Sequence, residues 1–105
     1  MILNRIERVV LENKDKRLEI LAKIDTGADR TSIDKELVKE LNFKILDKKK
    51  KIRAAGKKEI RNLVKVKYKL KKRWINSIAN VADRSNMSYK MIIGWKDIKG
   101  CVIKL

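Results

Sequence analysis

The most informative stretch of this sequence is Ile24-Asp25-Thr26-Gly27-Ala28. The residues before it have apolar side chains at every second position, at Leu18, Ile20 and Ala22, with mainly charged residues between them. This alternation is the periodicity of a half-buried β-strand. The predicted strand therefore runs directly into an acid, a hydroxyl, a glycine and a small residue. Aspartate and glycine are both common in tight turns, so an ordinary turn after a strand is one interpretation.

The same pattern also suits a catalytic carboxylate. An aspartic protease holds a carboxylate at the end of a rigid strand, in a turn tight enough to need glycine. A second carboxylate lies close by, and the two share one proton because like charges that close cannot both ionise. One acts as a base on water while the other polarises the scissile carbonyl. Asp25 is the candidate catalytic residue, and Thr26, Gly27 and Ala28 are the candidate supports of its turn.

The composition excludes most other chemistries. The chain has 105 residues, no histidine and one cysteine, Cys101. These counts exclude an intrachain disulfide, the usual zinc ligand sets, and catalysis by Ser-His-Asp or Cys-His groups. We therefore expect neither a cofactor nor a metal ion. The length fits a single domain over residues 1–105.

Elsewhere the pattern predicts a mainly β protein with one or two short helices. Residues 64–70 alternate between apolar side chains and lysines, which predicts a strand with one buried and one solvated face. Asp34 could cap a short helix that ends near Asn42. Residues 96–99 leave room for barely one more helical turn. Further strands are expected at residues 74–81, 91–94 and 101–105.

Four segments, in this order, resemble the retropepsins, the aspartic proteases that include the retroviral protease subunits. They are Ala22-Lys23-Ile24-Asp25-Thr26-Gly27-Ala28, residues 81–89, Ile92-Ile93-Gly94 and Gly100-Cys101-Val102-Ile103-Lys104-Leu105. The likeness spans residues 18–105 and is nearest to a bacterial and archaeal branch labelled ATP-dependent zinc proteases. It implies a single-lobe closed β-barrel in which Asp25 is catalytic and Ile92, Ile93 and Gly94 cross behind the catalytic turn. The absence of histidine gives the zinc in that label no support.

The resemblance also implies a flap, a hairpin that closes over bound peptide. Residues 50–62 lie at the matching place in the chain, with Ala54, Ala55, Gly56 and Lys57 at the centre. A glycine suits a tip that must bend towards the substrate, although a plain surface hairpin would also fit. One residue departs from the family pattern. Trp95 stands where retroviral enzymes carry an arginine that pairs with an acid matching Asp29, so the partner of Asp29 is either missing or replaced by Arg84 or a nearby lysine.

A single Asp-Thr-Gly occurs in the chain, so the second carboxylate would have to come from another copy. A homodimer with twofold symmetry brings the same turn to both sides of the axis. The resemblance to retroviral subunits, whose terminal strands interleave, implies an interface at the two ends of the chain. The candidate interface residues are Ile2, Leu3, Val102, Ile103 and Leu105. Alternatively, these residues form the edge strands of a monomer.

The net charge is +16, and residues 44–73 hold 15 Lys or Arg against two acids. This distribution predicts acidic or Glu-rich peptide substrates, but a solvated, heat-adapted surface would look the same. Two further functions stay open: a catalytically silent peptide-binding module on the same fold, and a basic nucleic-acid-binding protein. Only Tyr68 and Trp74 lie near the basic run, so nucleic acid is expected to bind nonspecifically if at all. With no apolar run near 20 residues and no signal-peptide pattern, we expect a cytoplasmic protein without membrane contact.

Overall fold

Strands dominate the structure, a computed structural model that describes residues 1–54 and 56–104. The strands are β1 (Ile2–Leu3), β2 (Ile6–Asn13), β3 (Lys16–Asp25), β4 (Ser32–Asp34), β5 (Ile45–Ala54), β6 (Lys57–Leu70), β7 (Arg73–Ala82), β8 (Met91–Gly94) and β9 (Val102–Ile103). The helices are α1 (Lys35–Leu41) and a 3₁₀ helix (Trp95–Asp97). Neither of these helices is long and apolar enough to cross a membrane.

Six strands of the described chain close into a barrel. Their order around it is β2-β3-β8-β4-β7-β6, and a pairing between β2 and β6 completes the ring. The seventh strand of the sheet, β5, pairs with β6 outside this ring. Closure matters because it gives the ring strands partners on both sides. The predicted mainly β closed barrel with short helices is confirmed.

The inside of the barrel is filled by the alternating apolar side chains. On β6 these are Val64, Val66, Tyr68 and Leu70, none of which is more than 3% exposed. Leu11 of β2, Ile33 of β4 and Ile93 of β8 meet them in one core cluster. The lysines between them on β6 point outwards and are exposed or half-buried. The strand and its two faces follow the period of two in the sequence.

Helix α1 begins and ends where its capping residues predict. The side chain of Asp34 accepts a hydrogen bond from the backbone N–H of Glu36, and Asn42 closes the helix in the left-handed conformation at φ 54°. Leu37, Val38 and Leu41 are buried against the core. The predicted helix is confirmed.

The two ends of the described chain form a small separate sheet. Strands β1 and β9 pair in parallel, with Ile2 opposite Val102 and Leu3 opposite Ile103. Leu3 is completely buried in the core, while Ile2 and Val102 are 64% and 61% exposed. Of the predicted interface residues, these two present apolar side chains to the outside. Leu105 lies outside the described residues.

Strands β5 and β6 form a long hairpin, which we call the arm and define as residues 45–64. It extends from the pair Ile45–Val64 to the pair Ala54–Lys57, with one irregularity between Ile45 and Lys49. The arm is longer than the predicted hairpin over residues 50–62. Gly56, at φ 77°, supplies the positive φ that its tip requires. Ala55, also predicted to lie in the tip, is outside the described residues.

Candidate active site

Asp25 is the last residue of β3, and a tight turn follows it. The backbone N–H of Gly27 donates a hydrogen bond to Oδ1 of Asp25 at 3.0 Å. The backbone N–H of Ala28 donates to the carbonyl oxygen of Asp25 at 3.2 Å. Asp25 itself is half-buried, whereas Thr26 and Gly27 are exposed. One carboxylate oxygen is therefore oriented by its own turn, and this turn lies at the protein surface.

Strand β8 supports this turn from behind. It pairs in parallel with β3, so that Ile92 lies opposite Lys23 and Gly94 opposite Asp25. After β8, the backbone N–H of Trp95 donates to the carbonyl of Ala28 at 2.9 Å. The segment Ile92-Ile93-Gly94 is thus beside the turn, at the place where sequence reasoning expects it.

Gly94 is required here for steric reasons. A Cβ atom at this position would lie 2.7 Å from the backbone nitrogen and oxygen of Arg30, and closer still to its carbonyl carbon. The backbone N–H of Gly94 donates to Oγ1 of Thr31 at 3.1 Å. Because backbone atoms cannot move aside as flexible side chains do, any larger residue would push the loop after Asp25 outwards.

A carboxylate that sequence reasoning misses ties this loop to the barrel. Asp97 accepts three hydrogen bonds from hydroxyl groups: from Thr31 at 2.6 Å, Tyr68 at 2.7 Å and Ser77 at 2.8 Å. Burial of the phenol, followed by the nearby charge of Asp97, raises the pKa of Tyr68 above its ordinary value. The partners are 20 to 66 residues away from Asp97 in the chain, so no local pattern marks them.

Of the alternatives considered for Asp29, the structure shows replacement of the family's arginine by a lysine as its partner. Nζ of Lys96 lies 3.8 Å from Oδ2 of Asp29, and both side chains are largely exposed. Arg84 does not pair with Asp29: its backbone N–H donates to Oδ1 of Asp34 at 2.7 Å, and of its guanidinium atoms Nε donates to the carbonyl of Tyr89 at 2.8 Å. An ion pair this long and exposed contributes little to stability.

Asp25 opens into a cleft of about 660 Å³ that is also lined by the turn after it and by the arm. Among the described residues, six cationic ones line it: Arg30, Lys50, Lys51, Arg53, Arg61 and Arg84. They face two carboxylates, those of Asp25 and Asp29. A second recess, of about 540 Å³, lies near Phe43 and does not include Asp25. The cleft beside Asp25 therefore has a strongly positive lining, which attracts acidic ligands.

The family model for aspartyl proteases matches residues 9–96, which is most of the chain and includes Asp25. This chain belongs to the aspartyl protease family. No curated protein matches it.

Three solved structures place this aspartyl protease family member among proteins of retropepsin-like fold. The first is a protein of unknown function from Legionella pneumophila, with 18% identity and a TM-score of 0.66 over 98% of this chain and 91% of that one. The second is the foamy viral protease-reverse transcriptase in complex with an RNA/DNA hybrid, with 22% identity and a TM-score of 0.64 over 90% of this chain and 12% of that one. The third is the retroviral protease-like domain of Ddi1 from Leishmania major, with 13% identity and a TM-score of 0.59 over 94% of this chain and 78% of that one.

These similarities confirm the predicted resemblance to the retropepsins. At such identities the structures show the fold alone, so the roles of Asp25, Thr26, Gly27 and Ala28 stay predictions. The roles of Gly56 and Lys57 in a flap, at the end of the arm, also stay predictions. The foamy viral match is to a small part of a much longer protein.

The zinc in the label of the prokaryotic branch finds no support in this aspartyl protease family member. Within residues 1–54 and 56–104, no group of three or more His, Cys, Asp or Glu is placed to hold a metal ion. The carboxylates of Asp25 and Asp29 share their cleft with six cationic residues, and such a field repels another cation. The residues present do not fit a zinc ion.

Proposed function

We propose that this protein is an aspartic endopeptidase that is active as a homodimer, with one catalytic Asp25 from each subunit. The observation that carries the proposal is the setting of Asp25: it ends a barrel strand, its Oδ1 is held by Gly27, and it opens into the cleft. The membership of the aspartyl protease family supports the same reaction class.

In the proposed mechanism the two Asp25 carboxyl groups hold one proton between them. The ionised carboxylate takes a proton from a water molecule, and the water oxygen attacks the carbon of the scissile carbonyl. The protonated carboxyl donates its proton to the carbonyl oxygen, which gives a tetrahedral diol. Transfer of a proton to the amide nitrogen then breaks the C–N bond and releases the two products.

Features of the chain itself support the proposal of a second subunit. It contains one Asp-Thr-Gly sequence, and Thr26 and Gly27 are exposed, as a turn that meets its twofold mate would be. Ile2 and Val102 add exposed apolar side chains on the terminal sheet. We therefore propose that the interface consists of the catalytic turns and the outer face of the terminal sheet, together with Ile103 and Leu105.

We propose that the arm is the flap, within a single domain over residues 1–105. Lys50, Lys51, Ile52 and Arg53 of the arm line the cleft opposite Asp25. A hairpin in this position can close over a bound peptide and exclude water from the reaction. Its cationic side chains would then lie against the substrate, so acidic peptides are the proposed substrates.

The test is cleavage of a diverse peptide pool by the full chain and by its Asp25→Asn variant, with the products identified by mass spectrometry. The reactions are run from about pH 4, near the usual carboxyl pKa values, to about pH 7. We expect cuts enriched near Glu and Asp, and a loss of about a thousandfold or more in the variant, because the base and acid are removed together. Sedimentation should show a dimer.

Two results would count against this proposal. Cleavage by both proteins would mean that another group, or a contaminant, performs the reaction. Binding of peptides without cleavage by either, with the dimer present, would favour the catalytically silent peptide-binding module.

A further inference from the structure

Part of the cleft beside Asp25 has a floor that crosses three barrel strands, with polar residues on two of them. Ser32 of β4 lies opposite Asn80 of β7 on one side and opposite Ile92 of β8 on the other. All three residues line the cleft, as expected of direct cross-strand neighbours on one face of a sheet. Nη1 of Arg61 donates a hydrogen bond to Oδ1 of Asn80 at 3.0 Å, which extends this floor to β6.

The hydroxyl of Ser32 on this floor lacks a partner. Ser32 is 1% exposed, and within the described residues its Oγ is the buried side-chain atom without a hydrogen bond. Buried polar groups in folded proteins are nearly always paired, because an unpaired one costs free energy. Since Ser32 lines the cleft, an acceptor atom of a ligand that reaches the floor can supply the missing partner.

Two guanidinium groups adjoin this floor. Arg61 is held by Asn80 and by Glu59, whose Oε2 lies 2.9 Å from its Nη2. Arg84 is half-buried, and no carboxylate of the described residues lies within ion-pair distance of it. Burial, followed by the positive charge of Arg61, lowers the pKa of Arg84. The neighbouring positive charges of Arg61 and Arg84 favour the binding of an anion beside them.

We propose that Ser32, Arg61 and Arg84 form an acid-binding subsite, which takes the carboxylate of one Glu or Asp side chain of the substrate near the scissile bond. The hydroxyl and the guanidinium groups can all donate, and a carboxylate has only acceptors to offer. A glutamine in the same place would turn an NH₂ group towards the guanidinium groups, so the subsite selects Glu over Gln. The inference deepens the proposed function, because it treats the ligand as a peptide bound beside Asp25.

The test measures binding with the full-length Asp25→Asn protein, so that turnover does not interfere. Fluorescent peptides in pairs, with Glu or Gln at each position in turn, are titrated by anisotropy. At one position we expect Glu to bind about tenfold more tightly than Gln, as charge-assisted hydrogen bonds allow. Arg84→Gln should reduce this preference to about threefold or less. Arg84→Lys keeps the charge but loses the paired N–H donors of the guanidinium group, so it should give an intermediate value.

Arg73→Gln is the matched control. Arg73 is exposed at the start of β7 and does not line the cleft, so this variant loses the same charge without touching the subsite. The Glu preference should stay unchanged in it. An equal loss of preference in Arg73→Gln and Arg84→Gln would overturn the subsite and leave only general attraction by the basic surface.

Ser32→Ala separates a ligand-binding role from a structural one. Removing the unpaired hydroxyl should leave the melting temperature of the free protein unchanged or raise it, while the Glu preference falls. If the preference survives in both Ser32→Ala and Arg84→Gln, the subsite is wrong. Should Arg84→Gln fail to fold by circular dichroism, Arg84→Lys and Ser32→Ala still decide the question.

The subsite and the proposed protease can fail separately. Cleavage of the pool by the parent, with no preference for Glu at any position, would overturn the subsite and leave the protease standing. A Glu preference that depends on Arg84 in the Asp25→Asn protein, with no cleavage by the parent, would support the subsite and overturn the protease.

Discussion

At the scale of single residues, a methyl group at Gly94 should do more damage than its size suggests. It would lie 2.7 Å from backbone atoms of Arg30, so Gly94→Ala must displace the loop that follows Asp25. We expect a loss of about 3 kcal/mol in the free energy of unfolding, typical of overpacking against rigid atoms. Urea denaturation measures it.

Gly100→Ala is the control for this substitution. Gly100 has φ 78°, but a Cβ atom added there would meet open space, with no other atom within 4 Å. Its substitution should therefore cost about 1 kcal/mol from backbone strain alone. Equal losses at the two glycines would show that the contact with Arg30 relaxes at little cost.

Tyr68 should make the protein sensitive to alkali. Its pKa is raised in the folded state, so the phenol ionises in the unfolded chain first. The stabilising contribution is complete below the unfolded pKa of about 10 and is lost as the pH rises above it, by about 1.4 kcal/mol per pH unit. We expect Tyr68→Phe to be less stable at neutral pH, because the hydrogen bond to Asp97 is gone. Between about pH 9.5 and about pH 11, on either side of the unfolded tyrosine pKa, this variant should lose less stability than the parent.

Urea unfolding of the two proteins across this range measures the difference in slope. All other ionisable groups are the same in the two proteins and cancel in the comparison. Parallel curves would mean that Tyr68 ionises as readily in the folded protein as in the unfolded chain.

Sequence reasoning finds the residues whose chemistry is local and misses those whose partners are distant. Asp25 and Gly27 are recognisable because strand, acid and glycine are consecutive. Asp97 is an unremarkable acid in the sequence, and its hydroxyl partners come from three other places in the chain. The sequence suggests Arg84 only as a partner for Asp29, whereas the fold brings it to the cleft.

At the scale of elements, the arm is weakened by its own charges. Arg53 lies directly opposite Lys58, and Lys50 opposite Arg61, and like charges in such positions destabilise a strand pair. We expect amide hydrogen exchange in the arm to slow as salt is raised from about 50 to 500 mM, because the Debye length shortens severalfold. Exchange in β2 should not change.

Arg53→Glu tests the cause of this behaviour. It replaces a repulsive pair by an attractive one, so exchange in the arm should already be slow at low salt and should respond less to added salt. An arm that exchanges alike in both proteins at every salt concentration would rule out charge as the source of its weakness.

The strands show why some elements are predictable and others are not. Residues 64–70 of β6 alternate between apolar side chains and lysines, and α1 carries both caps, so each is visible locally. Strand β5 includes the run Lys48-Lys49-Lys50-Lys51, and lysine has little preference for strands. It is a strand because β6 pairs with it. Strand β4 has only three residues, Ser32–Asp34, and is defined by pairing with β7 and β8.

At the scale of the whole molecule, the charge of +16 opposes pairing of two copies. If the proposed dimer forms, its dissociation constant should fall as salt is raised from about 50 to 500 mM, because screening weakens the repulsion between subunits. Sedimentation equilibrium at several salt concentrations measures it. An acidic peptide added at low salt should have the same effect. A dimer that weakens with salt would instead point to an interface built on ion pairs.

The position of β8 in the barrel has a consequence for protein synthesis. Strand β8 pairs with β3 but is synthesised more than sixty residues after Asp25. Until residues 91–97 have emerged, the loop after Asp25 lacks Gly94 behind it and Asp97 to anchor it. Asp25 is therefore synthesised well before the residues that support its turn.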